Sequence, residues 1–323
     1  MPDASGYAAR LNAFKIGLEG PATLAAMVSR AAEVDGLSHV DLNFPDHLTE
    51  MDGKTAGDII ADHGIGLNGF AMRYYSDPAF KLGALTHPDP AVRQKAVDLT
   101  KAGLDALQAA GGHQMVLWLG QDGFDYPFQA DHDRLWALEI EGLRAVADHA
   151  PGVEIAIEYK PNEPRAFSLL SNLGTTLLAI KEAANANLGV TLDFAHVLYA
   201  NENPAQAAAL THRTSRLMGV HLNDGYGKRD DGLMVGAVNL VQTLEFLATL
   251  DRIGYDGVLY FDTFPDIIGL NPVKECAANI AAVRRLQAVV RDLAGSNALA
   301  DAMAAQDAIA GHHLVQSALM QRD

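Results

Sequence analysis

The chain has 323 residues, 49% hydrophobic and 20% charged, with 24 Lys and Arg against 40 Asp and Glu, giving a formal charge of −16. That acidic balance, with no basic run, disfavours nucleic acid or an anionic membrane as partner and points to a small neutral ligand or a cation. The single Cys276 excludes an intrachain disulfide, and no apolar run approaches the ~18 residues of a membrane span.

The first residues lack a basic stretch followed by an apolar core, so the chain is expected in the cytoplasm. From there, strand-length and helix-length patterns alternate. Residues 14–18 read as a first short strand, followed by an amphipathic run over 21–34. Residues 39–44 read as the second strand with a helix around 55–63, and residues 65–73 as the third. An aromatic and turn-rich insertion over 74–90 precedes a helix over 91–110 that Pro90 introduces. The fourth strand is expected over 114–119 with its helix over 131–149, and the fifth over 153–159 with its helix over 171–186. The sixth, over 188–194, is followed by a helix over 204–215, and the seventh, over 217–222, by a helix over 240–253. The eighth, over 258–261, leads into a long helix over 272–294.

Eight strand–helix units imply parallel strands joined by right-handed crossovers. No Gly-rich phosphate turn follows the first of them, which favours an α/β fold of the closed (β/α)8 barrel type over an open doubly wound sheet. The barrel is expected over residues 1–294 as the catalytic domain, with residues 295–323 as a C-terminal helical extension. In that tail, Ala, Met and Leu recur at helical spacing over 297–319, which is too much apolar surface for a free end. It is expected to join subunits into a homodimer or homotetramer.

The chemistry gathers at the strand ends. Glu158, Asp193, His221 and Asp262 each close or follow an apolar run, and His196 lies three residues after Asp193. Four such groups would be costly as separate buried charges, and a shared divalent cation removes that cost. An oxygen-rich set with imidazole suits Mn²⁺, Mg²⁺ or Co²⁺ better than a thiolate zinc site. Lys160 points the same way as Glu158, two residues earlier on the strand, and could serve only to neutralise it. His39, Asp41 and His47 surround the end of the second strand, where they could do acid–base work or simply line a solvent-facing loop, and Arg73 closes the third. His87 can begin a Pro-defined turn, Trp118 can form an apolar wall or core, and Asn223 and Asp224 can meet ligand hydroxyls or the metal shell.

Taken in order, Glu158-Tyr-Lys160, Asp193-x-x-His196, His221, Lys228-Arg-Asp230-Asp231-Gly-Leu-Met-Val-Gly236 and Asp262 resemble the xylose-isomerase-like barrel superfamily. The likeness is strongest to its two-metal aldose–ketose isomerases of the xylose and rhamnose isomerase kind, and it touches Thr86-His87-Pro88-Asp89 and the run 118–123 as well. It implies a divalent ion on Glu158, Asp193, His221 and Asp262, and a second ion that Asp193 bridges to His196 and Asp230. His221, where xylose isomerases carry a carboxylate, is more like the rhamnose isomerases. The family motif Lys-x-Asp-x-Asp-Leu is replaced by Lys228-Arg-Asp230-Asp231-Gly232-Leu233, which leaves the second ion open.

The reaction so implied interconverts an aldose and a ketose by a metal-assisted 1,2-hydride shift, with Lys160, Glu158, Asp262 and Asp230 carrying the chemistry. His39, His87, Trp118 and Asn223 are the expected contacts to a small, unphosphorylated sugar, and His39, Asp41 and His47 could assist its ring opening. A single-metal ketose 3-epimerase, with a carboxylate pair as acid and base, is the main alternative. Asp262, shorter than a glutamate, and the presence of Lys160 count against it. A dehydratase or endonuclease relative is a further option, although the charge of −16 disfavours phosphate-backbone binding. Outside the enzymes, an inactive sugar-binding barrel fits the same residues.

Overall fold

In the computed structural model, which describes residues 6–320, eight parallel strands close into a barrel with helices around it. The strands are β1 (Tyr7–Arg10), β2 (His39–Phe44), β3 (Gly66–Met72), β4 (Gln114–Trp118), β5 (Glu154–Glu158), β6 (Leu188–Asp193), β7 (Leu217–Leu222) and β8 (Leu259–Phe261). They pair in the ring order β1-β8-β7-β6-β5-β4-β3-β2, so each connection places a helix on the outer face. This is a (β/α)8 barrel. A short antiparallel pair, Gly123–Phe124 with Phe167–Ser168, lies outside the ring.

The first strand differs from the sequence expectation. Residues 14–18 fold partly into a 3-10 turn over Leu11–Lys15 that buries Phe14, and the strand is Tyr7–Arg10. Register explains the choice, because Tyr7, Ala8 and Ala9 pair with Leu259, Tyr260 and Phe261 on one side while Ala8, Ala9 and Arg10 pair with His39, Val40 and Asp41 on the other. A four-residue strand with two alanines closes the ring, and its neighbours supply the hydrogen bonds that its own composition does not advertise.

Helix starts follow from short polar side chains that accept a free N–H of the first turn. Asp52 caps α2 (Gly53–Asp62), Asp89 caps α3 (Pro90–Ala109), Asp131 caps α4 (His132–Ala147) and Asn172 caps α5 (Leu173–Ala183), while Thr23 does the same for α1 (Leu24–Ala31). Asn203 and Asn271 cap α7 (Pro204–Thr214) and α10 (Pro272–Ala294), each with Pro in the first turn, where its missing N–H costs nothing. Between them lie α8 (Leu240–Arg252), the one-turn α9 (Pro265–Ile268) and a short α6 (Phe194–Tyr199), which starts directly at the end of β6. Helices α2 and α3 approach closely at glycine. A Cβ at Gly53 or Gly57 would stand 2.0 and 2.5 Å from the carbonyl oxygens of Ala106 and Ala110.

The core lies between ring and helices, where Val28, Leu42, Phe70, Leu104, Leu117, Leu192, Leu222 and Phe246 are fully buried. The tail forms α11 (Ala298–Ala304) and α12 (Ala308–Met320), which rest on α10 through Leu299, Leu314, Val315 and Ala318. No described helix is long and apolar enough to cross a membrane.

Candidate metal centre

Strand register brings the expected ligands to one end of the barrel. Asp193 pairs directly with His221 across β6 and β7, Glu158 ends β5 beside Thr191, and Asp262 follows the last residue of β8. One ligand atom each from Glu158, Asp193, His221 and Asp262 lies within 4.8 Å of all the others. The grouping inferred from four separate strand ends is therefore a single cluster at the carboxyl ends of the strands, where barrels of this kind place their sites.

The electrostatics of the cluster are those of a site built around positive charge. Burial works against ionisation of Glu158, but His221 and His196 override it and hold its carboxyl at about 2. Asp193 is pushed up to about 7 by burial, which His196 only partly offsets. Asp262 is raised as well, by burial and by neighbouring Glu158. Burial would lower both imidazoles, yet the surrounding carboxylates lift His221 to about 9 and His196 to about 10. In the protein alone the two histidines thus carry the charge that the acids require.

That compensation is incomplete. His196 Nδ1 lies 3.3 Å from Glu158 Oε1, and Asp262 Oδ1 lies 3.6 Å from Arg10 Nε, close enough for charge attraction, but neither atom has a hydrogen bond. Such buried, unpartnered ligand atoms fit a divalent ion bound by carboxylate and imidazole.

A second group adjoins the first. His196 Nε2 stands 3.1 Å from Asp230 Oδ2, Lys160 Nζ stands 3.3 Å from that same oxygen, and Asp230 Oδ1 is buried without a partner. Asp230 is held well below the usual carboxylate range, burial being overcome by His196 and Lys160. Lys160 also pairs with Glu163 at 3.0 Å and lies over the ring of Trp118, 5.0 Å from its centre. Despite its burial, the lysine's pKa is raised by these acids. Asp231, the displaced aspartate, is spent inside its own loop, accepting from Tyr226 N at 2.8 Å and pairing with Arg229 at 2.7 Å. Asp224 likewise caps the loop, accepting from the backbone N–H groups of Gly225, Val238 and Asn239.

A cavity of about 550 Å³ opens over the site, lined by Glu158, Lys160, His196, Asp230 and Asp262 and walled by Trp118, Tyr75 and Phe264. Of the four expected sugar contacts, Trp118 alone lines it. His39 is the first residue of β2, at the opposite end of the barrel, with its ring nitrogen 2.8 Å from Ser38 Oγ. His87 accepts from Asp89 N at 3.0 Å in the turn before α3. Asn223 is fully buried behind Asp193, donating to its two oxygens at 3.1 and 2.9 Å while accepting from Ala195 N at 2.9 Å. It braces Asp193 and does not line the cavity. His47 bonds Asn12 at 2.8 Å and is driven down to about 4 by burial, with help from Arg73 and Lys15. Asp41 lies buried in the barrel, where Asn68 donates to it at 2.7 Å.

Sequence reasoning missed Arg10 and Glu163. Arg10 leaves β1, the misplaced strand, to reach Asp262 and Asp266, and Glu163 follows Lys160 by three residues.

Residues 28–286 match the xylose isomerase-like TIM barrel family. The chain belongs to that family. It is 32% identical over 194 residues to a xylose isomerase of Thermus thermophilus, an alignment covering 58% of this chain and 50% of that protein. The chain therefore spans about half the length of the curated relatives it matches. Among solved structures, a D-tagatose 3-epimerase-like protein superposes with a TM-score of 0.71 at 18% identity, over 89% of this chain and 98% of that one. An L-ribulose 3-epimerase superposes with a TM-score of 0.70 at 17% identity, over 90% and 97%. At such identities the likeness to these epimerases is one of fold.

Proposed function

We propose that this chain is a divalent-metal-dependent sugar isomerase that interconverts an aldose and a ketose by a 1,2-hydride shift. The observation that carries the reading is the meeting of Lys160, Asp230 and His196 at 3.3 and 3.1 Å, directly beside the four-ligand cluster. Mn²⁺ or Mg²⁺ on Glu158, Asp193, His221 and Asp262, with a second ion at His196 and Asp230, supplies Lewis-acid polarisation of adjacent sugar oxygens when bound.

The chain's own residues supply the rest. Lys160, cationic and fixed by Asp230 and Glu163, donates a hydrogen bond to the oxygen at C1, where negative charge grows as hydride arrives from C2. Asp230, ionised beside His196 and Lys160, would hold the second ion, and the proton leaving the C2 hydroxyl is balanced by one gained at the C1 oxygen, so that the isomerisation is neutral overall. Trp118, Tyr75 and Phe264 present apolar faces to the sugar's C–H groups and keep water from the reacting carbons.

A single-metal ketose 3-epimerase remains the second reading, favoured by the fact that the described residues form only one group of three or more metal-ligating side chains. Glu158 and Asp262 would then act as acid and base. Turnover of metal-loaded protein on aldoses deuterated at C2 and on ketoses deuterated at C3 separates the two. Retention of the C2 label at C1 of a ketose product supports the isomerase, and loss of the C3 label to water supports the epimerase. Binding of sugars without turnover would leave a sugar-binding barrel.

A further inference from the structure

The cavity over the metal centre contains a cation that, among the described residues, forms no ion pair. Arg73 follows β3 and faces the same space as Glu158 and Lys160. The other cations there are paired: Arg10 with Asp262 and Asp266, Lys160 with Asp230 and Glu163, and His196 with Asp230. Among the described residues, Arg73 has no carboxylate within ion-pair distance, and its Nε is buried with no hydrogen-bond acceptor. Its guanidinium instead sits 5.7 Å from the centre of the Tyr75 ring.

Nearby polar groups do not make up the difference. His47 is held neutral by burial and by the positive charge of Arg73 itself. Asp41 feels the charge of Arg73 but forms no ion pair with it: burial pushes its carboxyl up to about 7, and Asn68 donates to it at 2.7 Å. A guanidinium with a buried, unsatisfied N–H is costly, and the cost disappears when an anion docks against its planar fork.

The rest of the lining decides which anion. Glu158, Glu163, Asp230 and Asp262 are matched by Arg10, Lys160 and His196, so a phosphate dianion would bring two charges to the one unpaired arginine of the described lining. A carboxylate carries a single charge, and two parallel N–H···O bonds match its geometry. One wall of the cavity runs from Lys160 over Trp118, which packs edge-on against Tyr75 at 5.7 Å, to Arg73. Apolar rings thus separate the reacting end from the charged end.

We propose that the substrate is a sugar acid whose terminal carboxylate is held by Arg73 while its carbonyl end lies at the metal centre. The proposal rests on the isomerase reading for the metal end and on Arg73 alone for the other. It is tested by offering Mn²⁺-loaded full-length protein aldohexoses, their uronic acids and their 6-phosphates. The uronic acid is expected to have the highest kcat/KM. Arg73→Met should lower the ratio of kcat/KM for the acid to that for its neutral partner by about 10²-fold, within the range for loss of one partner of a buried charge pair. Arg73→Lys, which keeps the charge but not the fork, should restore part of that ratio, and thermal melts of both variants show whether they fold.

Preference for the neutral sugar or the phosphate, or a ratio unchanged by Arg73→Met, would overturn the proposal while leaving the isomerase reading intact. If no sugar is turned over, the isomerase reading fails, and calorimetric titration of metal-free protein with uronates decides the Arg73 assignment. Binding that is lost in Arg73→Met upholds the assignment, and equal or absent binding refutes it.

Discussion

Lys160 and Asp230 share one hydrogen-bonding contact at 3.3 Å, yet they do different work and should fail differently. Lys160→Met removes a donor to developing charge and is expected to lower turnover by roughly 10²–10³-fold. Asp230→Asn keeps the shape but not the charge, so it should lower turnover more than it lowers occupancy of the ion on Glu158, Asp193, His221 and Asp262. Direct metal analysis beside steady-state kinetics checks both. Equal loss of metal and activity in Asp230→Asn would show that the two groups of ligands are one site.

The histidines set the pH behaviour of metal-free protein. His221 and His196 have folded pKa values raised from the ordinary 6.5 to about 9 and about 10. A raised imidazole contributes stability that is fully present below about 6.5 and is lost as pH climbs through the folded value. Asp193, raised from 3.8 to about 7, also favours the folded state less as pH rises across that interval. Chelator-treated protein should therefore melt at progressively lower temperature between about pH 6.5 and pH 10. A divalent ion competes with the same protons, so the rise in melting temperature on adding Mn²⁺ should be larger at pH 8 than at pH 6. A metal-free melting temperature that stays flat over this range would contradict the charge arrangement.

The residues that sequence reading expected to meet, Glu158, Asp193, His221 and Asp262, do converge, because ligand-type side chains at four successive strand ends are drawn together when parallel strands close into a barrel. Asn223 shows the limit. An amide after a strand looks the same whether it meets a sugar or, as here, braces Asp193 from behind. His39 stands at the start of its strand, and a one-letter string does not show which end of a barrel a polar residue faces until the strand's direction and limits are fixed.

At the scale of elements, legibility followed composition. Expectation and structure agree on β2, β7 and α10, where a strand-length apolar pattern or a proline-introduced helical period is long enough to identify itself. β1 was hidden because Tyr-Ala-Ala-Arg has little strand character of its own, and α6 because its six residues are shorter than a readable period.

Helix α4 contains a feature that no sequence pattern announced. Glu139 is fully buried, and neither carboxylate oxygen has a hydrogen bond. Its pKa is raised well above the ordinary value, first by burial and then by Asp122, whose Oδ2 is also unpartnered. An unsatisfied buried acid costs ~1–3 kcal/mol on the mutational scale, so Glu139→Met should stabilise the protein by an amount in that range. Urea denaturation would show the midpoint rising. A lower midpoint would mean that the carboxyl serves a partner, such as buried water, that outweighs its desolvation.

For the whole molecule, the outstanding matter is what the tail faces. Helices α11 and α12 lay Leu299, Leu314 and Val315 on the chain's own barrel, but no residue of α12 is fully buried, and Met303, Ile309 and Met320 remain 49%, 73% and 78% exposed. Between α8 and the tail runs a groove of about 510 Å³ lined by Val241, Leu244, Ala248, Met303 and Val315. Packing on α10 therefore accounts for one side of the tail and leaves apolar surface on the other, more than a solvated helix pair ordinarily presents. We propose that this outer side meets a second copy of the chain, giving a homodimer or homotetramer. Light scattering at micromolar concentration should then report a multiple of 34.4 kDa. Replacing Met303 and Ile309 together by Lys should shift that mass toward one chain while leaving the far-ultraviolet circular dichroism unchanged. If the unaltered protein already scatters as a single chain, the tail is a cover for α10 and nothing more.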